Sequence, residues 1–544
     1  MESSRLGANL EPTPELPGYL GATSYSAILT EHRSDLPFEM DNSTVTGTSV
    51  RALDSDRLRA GVELLKLIYD FPIYDVLVRK LYSKKAIVVV PMVITDAIVE
   101  SIRSAFDNLD IGSDIEAQFQ ALVYQISHNT SRPLTIHRSM TVHDYCALFT
   151  GKSLRWESLG IVLSISGISL MSTSDNDPDL VQAAPSSEAR ERLRAQIVEA
   201  SSICLNFCDQ ASSINELLGF AQYNDIMLKT QHFGDTSYQA WRRLGDLSAT
   251  VYAAGFHQEN TQADDCPFFL QQWRKICFAS AFYADKAIAT FVGRPPFINY
   301  RYCSLTPPMD LHEDILVAGG DDLANAISSL NMEGWNTQRQ HYRTSMIRLR
   351  FIFSVYRDQA LEIALGTCED WDLVQKSNQI IEKARAALEA APAFIRYDAH
   401  GQNEDAESAR CVDPHIARGP INRYQDSLQV ASVLTLELLH QTQEIGPHSV
   451  MLPRAEIIRN LSVFLSCLSW VPRPTYGNYQ TCKEAEKKLS HILDQIIDPQ
   501  PIQRDVFNDV TSGLDSFLDW YNPSNWDFNT DFLSSSDGFG LARD

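Results

Sequence analysis

The chain has 544 residues, with 69 acidic and 46 basic side chains and a formal net charge of −23. An apolar share of 44%, with 21% charged and 10% aromatic residues, supplies material for a large core and excludes a globally disordered chain. So acidic a surface repels phosphate at long range, and the sequence has no long basic run to offset it.

In chain order, residues 1–50 read as a mostly irregular lead. Pro12, Pro14, Pro17, Gly18 and Gly21 break it, and one short ordered piece is expected around residues 19–29. No apolar stretch there has the character of a secretory signal. From Asp56 the pattern turns helical: Leu58, Val62, Leu65 and Ile68 recur at helical spacing behind Asp54, Ser55 or Asp56 as caps. Further helices are expected over 95–109, 113–127, 142–150 and 154–171. The best strand candidate, 86–94, is weakened by Pro91. Residues 172–187 carry Pro178 and Pro185 and read as a linker.

Helical patterns resume over 186–210, 213–232, 237–257 and 266–291. A second block covers 338–365, 372–390, 421–443, 454–468 and 481–496. Residues 400–420 are a candidate mobile insertion. The expected fold is all-α: one large helical domain of packed antiparallel helices over 51–500, with disordered ends. The basic stretch Arg190–Arg194 is interrupted by Glu191 and reads as a solvated helix face.

The tail, 501–544, differs. Seven aspartates from Asp505 to Asp537 alternate with Phe507, Phe517, Trp520, Tyr521, Trp526, Phe528 and Phe532, with no lysine or arginine between them. Self-repelling aspartates would keep these aromatics available to a partner groove, as in an activation segment. The alternative is a terminal helix that docks its aromatics on its own core.

Residue types that carry chemistry do not assemble into a catalytic pattern. Gly151-Lys152-Ser153 resembles the end of a phosphate-binding loop, but Cys146 stands where its first glycine is required. Cys204 and Cys208 share a helix face without further ligands at metal spacing, so core packing is expected. His143, beside Asp144 and Cys146, is read as structural, because helix neighbours in sequence do not face each other. His257 is read as structural too, its imidazolium suiting a helix C-terminus. No catalytic residue, metal site, DNA-binding residue or cofactor is expected, and no helix suits a membrane. The ten cysteines, from Cys146 to Cys482, suit free thiols in a soluble intracellular protein.

One passage is distinctive. Trp241, Leu244 and Gly245 lie on a helix that ends at Gly255-Phe256-His257. The next helix carries Tyr283-Ala284-Asp285-Lys286 and stops at Gly293-Arg294-Pro295-Pro296. Trp241, Leu244, Ser248 and Val251–Tyr252 form one stripe to be buried; Trp273, Ile276–Cys277, Ser280, Tyr283–Ala284 and Ala287–Ile288 form another. Gly255 and Gly293 suit the left-handed residue that caps a helix. Pro295 forbids continuation, and Arg294 is placed to satisfy carbonyls or a carboxylate of the preceding helix.

These residues, centred on 237–310, resemble the middle homology region, or fungal-specific transcription factor domain, of binuclear zinc-cluster regulators. Gly18–Tyr25 is similar to a segment that precedes that domain, and the stretch with Arg155, Trp156 and Glu157 resembles another part of it. Phe278-Ala279 departs from the family's Phe-Trp, and Phe256 replaces leucine before His257. The family's DNA reader uses six closely spaced cysteines that hold two zinc ions, whereas the first cysteine here is Cys146.

The resemblance implies a nuclear regulator of a metabolic or secondary-metabolite gene set. It would act through other transcription proteins or a complete zinc-cluster relative, reach DNA indirectly, and respond to a small-molecule effector. The contrasting reading is a helical small-molecule binder or enzyme without a transcriptional role.

Overall fold

The computed structural model describes residues 18–21, 23–24, 54–70, 72–83, 88–110, 114–259, 266–366, 370–396, 422–442, 453–468 and 477–498. The expected insertion at 400–420 and the tail at 501–544 lie outside the described residues, as does most of the N-terminal lead.

The regular elements among them are helical, as the sequence reading expects. Helices α1 (Ser55–Asp70), α2 (Tyr74–Ser83), α3 (Met92–Asp107), α4 (Ile115–Thr130) and α5 (Val142–Ala147) lead through a 3-10 turn at Gly151–Ser153 into α6 (Trp156–Ser172). There follow α7 (Pro178–Ala183), α8 (Ser187–Gln210), α9 (Glu216–Phe233), α10 (Tyr238–Ala253) and α11 (Phe268–Val292). Beyond a 3-10 turn at Tyr300–Tyr302 come α12 (Glu313–Ala318), α13 (Gly320–Ser328), α14 (Arg343–Leu365) and α15 (Asp370–Ala390). Last are α16 (Asn422–Thr442), α17 (Arg454–Leu468) and α18 (Tyr479–Ile497). The chain divides into two compact units, one holding Met1–Ile288 and Pro296–Asn422, the other Ala289–Pro295 and Arg423–Asp544.

The first unit is organised around α6, which packs against α2, α8 and α9. Every residue of α6 from Trp156 to Met171 is buried, as expected of a helix that is apolar on all sides. Two of its serines find carbonyl acceptors: Ser164 Oγ donates to the Gly160 carbonyl at 2.7 Å, and Ser158 Oγ to that of Phe149 at 3.0 Å. Gly167 sets the helix spacing, since a Cβ there would lie 2.8 Å from Leu228 and 2.9 Å from Ile197.

Helix α9 is also buried along its length, although it carries charge. Asp225 accounts for this by accepting from Lys229 Nζ at 2.6 Å, Arg243 Nε at 3.0 Å and Ser201 Oγ at 2.9 Å. One carboxylate thus ties α8, α9 and α10 together. Burial lowers the Lys229 pKa, against the opposing pull of Asp225.

Several local expectations need correction. Residues 172–187 contain a helical turn, α7, begun by Pro178 at its first position and capped by Asp177. Residues Arg190–Arg194 are not a solvated face. Arg194 is 3% exposed and pairs with Asp175 at 2.8 Å, while Arg190 donates to the Ala184 and Pro185 carbonyls at 2.9 Å. Both arginines staple the preceding loop to α8. The strand candidate yields buried, non-helical Val88–Val90 and then the start of α3 behind Pro91. Helices α2, α12 and α13 were not anticipated; they are short, and short helices carry little periodicity.

In the second unit, Leu428, Ala431, Leu438 and Leu439 of α16 pack with Ile457 and Leu461 of α17 and with Cys482, Ala485, Leu489, Leu493 and Ile496 of α18. The spacings are those of three amphipathic helices, each burying one stripe.

Candidate functional site

The motif residues fall at three places. The first is the end of α10. Gly255 has φ +72°, and the Phe256 amide donates to the Val251 carbonyl at 3.1 Å, the bond of a Schellman cap. The Gly18–Tyr19 segment lies against this cap: the Tyr19 amide donates to Ala253 O at 2.5 Å. His257 is held edge-on between Tyr19, 5.2 Å away, and Tyr252, 4.8 Å away. The expected imidazolium is therefore corrected. Burial lowers the His257 pKa, with its contact to the Val251 backbone opposing, so the ring is held neutral.

The second place is the exit from α11. Gly293 has φ +64°, and the Arg294 amide donates to Ala289 O at 3.1 Å, again the Schellman geometry. Both glycines thus behave as their helix-ending positions predict. The chain after Pro296 is gripped by two adjacent, fully buried residues of α11. Asp285 accepts from the amides of Phe297 and Ile298, each at 2.9 Å. Lys286 Nζ donates to the Ile298 carbonyl, to Asp285 at 2.7 Å, and pairs with Asp358 of α14 at 3.4 Å. Burial raises the Asp358 pKa, while Lys286 and the Tyr300 amide oppose the rise.

Phe297 then lies 4.7 Å from Trp241 and over Gly245. Trp241 is only partly buried, unlike Leu244, which is fully buried; the tryptophan forms the edge of its stripe. Tyr283 is buried beneath the Arg350 guanidinium, 4.8 Å from its ring centroid.

The third place is the start of α6. Arg155 and Glu157, 3% and 0% exposed, pair at 3.0 Å. The Arg155 guanidinium also donates to the carbonyls of Asn129, Thr130 and Arg132. Glu157 accepts from Ser213 Oγ at 2.5 Å and Asn215 Nδ2 at 3.0 Å. Burial alone would raise the Glu157 pKa, but Arg155 and these two donors outweigh it and hold it below the ordinary value. Trp156 between them stacks on Phe207 at 4.5 Å and donates from Nε1 to Ser127 Oγ at 3.0 Å.

Sequence reasoning missed two contributors: Lys286 as a clasp, and Glu216, which accepts from Tyr145 Oη at 2.9 Å and pairs with Arg274 at 3.2 Å. A charged residue within an otherwise apolar helical stripe was the available signal for both. Cys204 and Cys208 are packed in the core, and the 3-10 turn Gly151–Ser153 receives Gln125 and Asn129 amides on its Lys152 carbonyl. The tail aromatics Phe517, Trp520, Trp526, Phe528 and Phe532 lie outside the described residues. Among the described residues, no group of three or more metal-ligating side chains could hold a metal ion, and no helix is long and apolar enough to cross a membrane.

The motif side chains therefore act on the chain itself, as caps, clasps and a buried charge pair that lock an all-helical domain. That defines a helical domain whose recognisable residues are architectural. Residues 163–347, about a third of the chain, match the family model described as "Fungal specific transcription factor domain". That family is one of transcription factor domains and not of enzymes. No curated protein and no solved structure matches the chain.

Proposed function

We propose that this chain is a nuclear transcription regulator whose helical body is the regulatory module for a metabolic or secondary-metabolite gene set. The observation that carries this reading is the family match over 163–347, which contains the Trp241-to-Pro296 motif residues. In this reading the acidic-aromatic tail is an activation segment. A complete zinc-cluster relative or another transcription protein supplies contact with DNA, because the net charge of −23 opposes direct contact. A small-molecule effector would act by favouring one packing of the helical body.

The test is tethering. The full chain is fused to an unrelated DNA-binding domain and placed on a reporter, with a second fusion lacking residues 501–544. A change in reporter output, diminished by the deletion, supports the reading. Output equal to that of the DNA-binding domain alone from both fusions, with the tagged chain excluded from the nucleus, would sink it.

A further inference from the structure

One stretch reverses the charge of the protein. Between Ala117 and Trp156 the chain holds Arg132, Arg138, Lys152 and Arg155 against a single acidic residue, Asp144, and adds His128, His137 and His143. Arg155 is consumed by the buried pair with Glu157. Arg132, Arg138, Lys152 and the three histidines are exposed. No carboxylate among the described residues pairs with these three cations, so their charge faces solvent.

The fold brings Arg132, Lys152 and His128 together around the end of α4, with Arg138 six residues beyond Arg132 in the chain. Gln125 and Asn129 of α4 bind the Lys152 carbonyl at 2.7 Å and 2.8 Å, so Lys152 lies against the exposed side of that helix. Arg155 holds the Arg132 carbonyl at 2.9 Å and that of Thr130 at 3.0 Å, which fixes the backbone where Arg132 leaves α4. The Gly151 amide is tied to Ser101 Oγ at 2.7 Å. The cations are flexible side chains on a braced backbone. Tyr124, half exposed on α4 one turn before His128, adds an aromatic surface beside them. Asp144 is occupied by the amide and hydroxyl of Thr141, in the capping box that starts α5.

We propose that this face is a docking surface for an acidic, aromatic-bearing segment of a partner protein. Arginine clusters with an adjacent ring recognise such segments by charge and by ring contact. A protein of net charge −23 repels a long polyanion such as DNA at distance, while a short acidic segment carries few enough charges to be captured by a local patch. The inference rests on this surface alone and stands apart from the transcriptional reading.

The test uses the full chain and a fluorescein-labelled synthetic peptide in which aspartates alternate with phenylalanines, read by anisotropy. Wild-type protein should bind it, and binding should weaken as salt rises to about 0.5 M. The triple variant Arg132→Glu, Arg138→Glu, Lys152→Glu should lose at least about tenfold in affinity. A neutral version with glutamine at the same positions should lose a smaller part. A control reversing the exposed Lys383, Arg385 and Lys487 makes the same change in net charge and should bind as wild type. Unchanged circular dichroism confirms that each variant is folded. Equal affinity of the wild-type protein and the Arg132, Arg138, Lys152 reversal overturns the proposal, and so does an equal loss in the control. Tighter binding of a random-sequence duplex DNA, abolished by the same reversal, would overturn it in favour of a nucleic-acid surface.

Discussion

Asp285 and Lys286, neighbours on α11, hold opposite sides of one residue: Asp285 accepts the Ile298 amide at 2.9 Å and Lys286 donates to the Ile298 carbonyl. Adjacent residues on a helix diverge by about 100°, so their joint reach to one residue requires the chain to fold back across the helix. The Gly293 cap and the two prolines after Arg294 make that reversal.

Replacing Lys286 should therefore be severe. Lys286→Met leaves Asp285 and Asp358 buried without their cation, a loss of about 3–5 kcal/mol. Asp285→Asn keeps one acceptor and should cost less, about 1–3 kcal/mol. Urea midpoints at neutral pH check both, and the clasp has no structural weight if Lys286→Met unfolds at the wild-type midpoint.

Arg155 is expected to be irreplaceable by lysine. Lysine keeps the charge but cannot bridge Glu157 and three backbone carbonyls with a planar fork. Arg155→Lys should cost about 1–3 kcal/mol, and Arg155→Ala about 3–5 kcal/mol. The Glu157 pKa lies below the ordinary 4.5 in the folded protein. Its stabilising contribution is complete above that value and is lost as pH falls through the folded pKa. Glu157→Gln should flatten the acid limb of the stability-versus-pH curve, and an unchanged acid limb would contradict the pairing.

His257 gives the complementary pH signature. Its folded pKa lies below 6.5, so between the folded value and 6.5 the unfolded chain binds more protons. Stability is complete above that window and declines as pH drops through it. His257→Phe keeps a ring between Tyr19 and Tyr252 and should remove this part of the decline. Thermal melts on both sides of pH 6.5 decide the point, and parallel curves for the two proteins would exclude the neutral-ring reading.

Two left-handed glycines separate backbone strain from contact. Gly255 (φ +72°) and Gly151 (φ +58°) should each lose about 1–2 kcal/mol on substitution by alanine. A Cβ at Gly255 would also press on Tyr19 at 3.2 Å, whereas one at Gly151 meets nothing within 4 Å. Limited proteolysis should therefore cut near residues 18–24 faster in Gly255→Ala only. Equal cutting in the two variants would show that the cap does not hold the Tyr19 segment.

The sequence by itself determined the longer helices and where several of them stop. Apolar residues recur at helical spacing, and Gly255, Gly293 and Pro295 act through local backbone geometry that needs no partner. The helical stops, the all-α class and the family resemblance were legible for that reason. The roles of charged residues were not. Arg194 reads as solvated until Asp175 is placed beside it, His257 reads as an imidazolium until Tyr19 and Tyr252 enclose it, and Lys286 is only a charge in an apolar stripe until Ile298 returns across α11. Burial and pairing of charge depend on which distant segments meet, so tertiary structure alone decided which charged residues are architectural and which stand free.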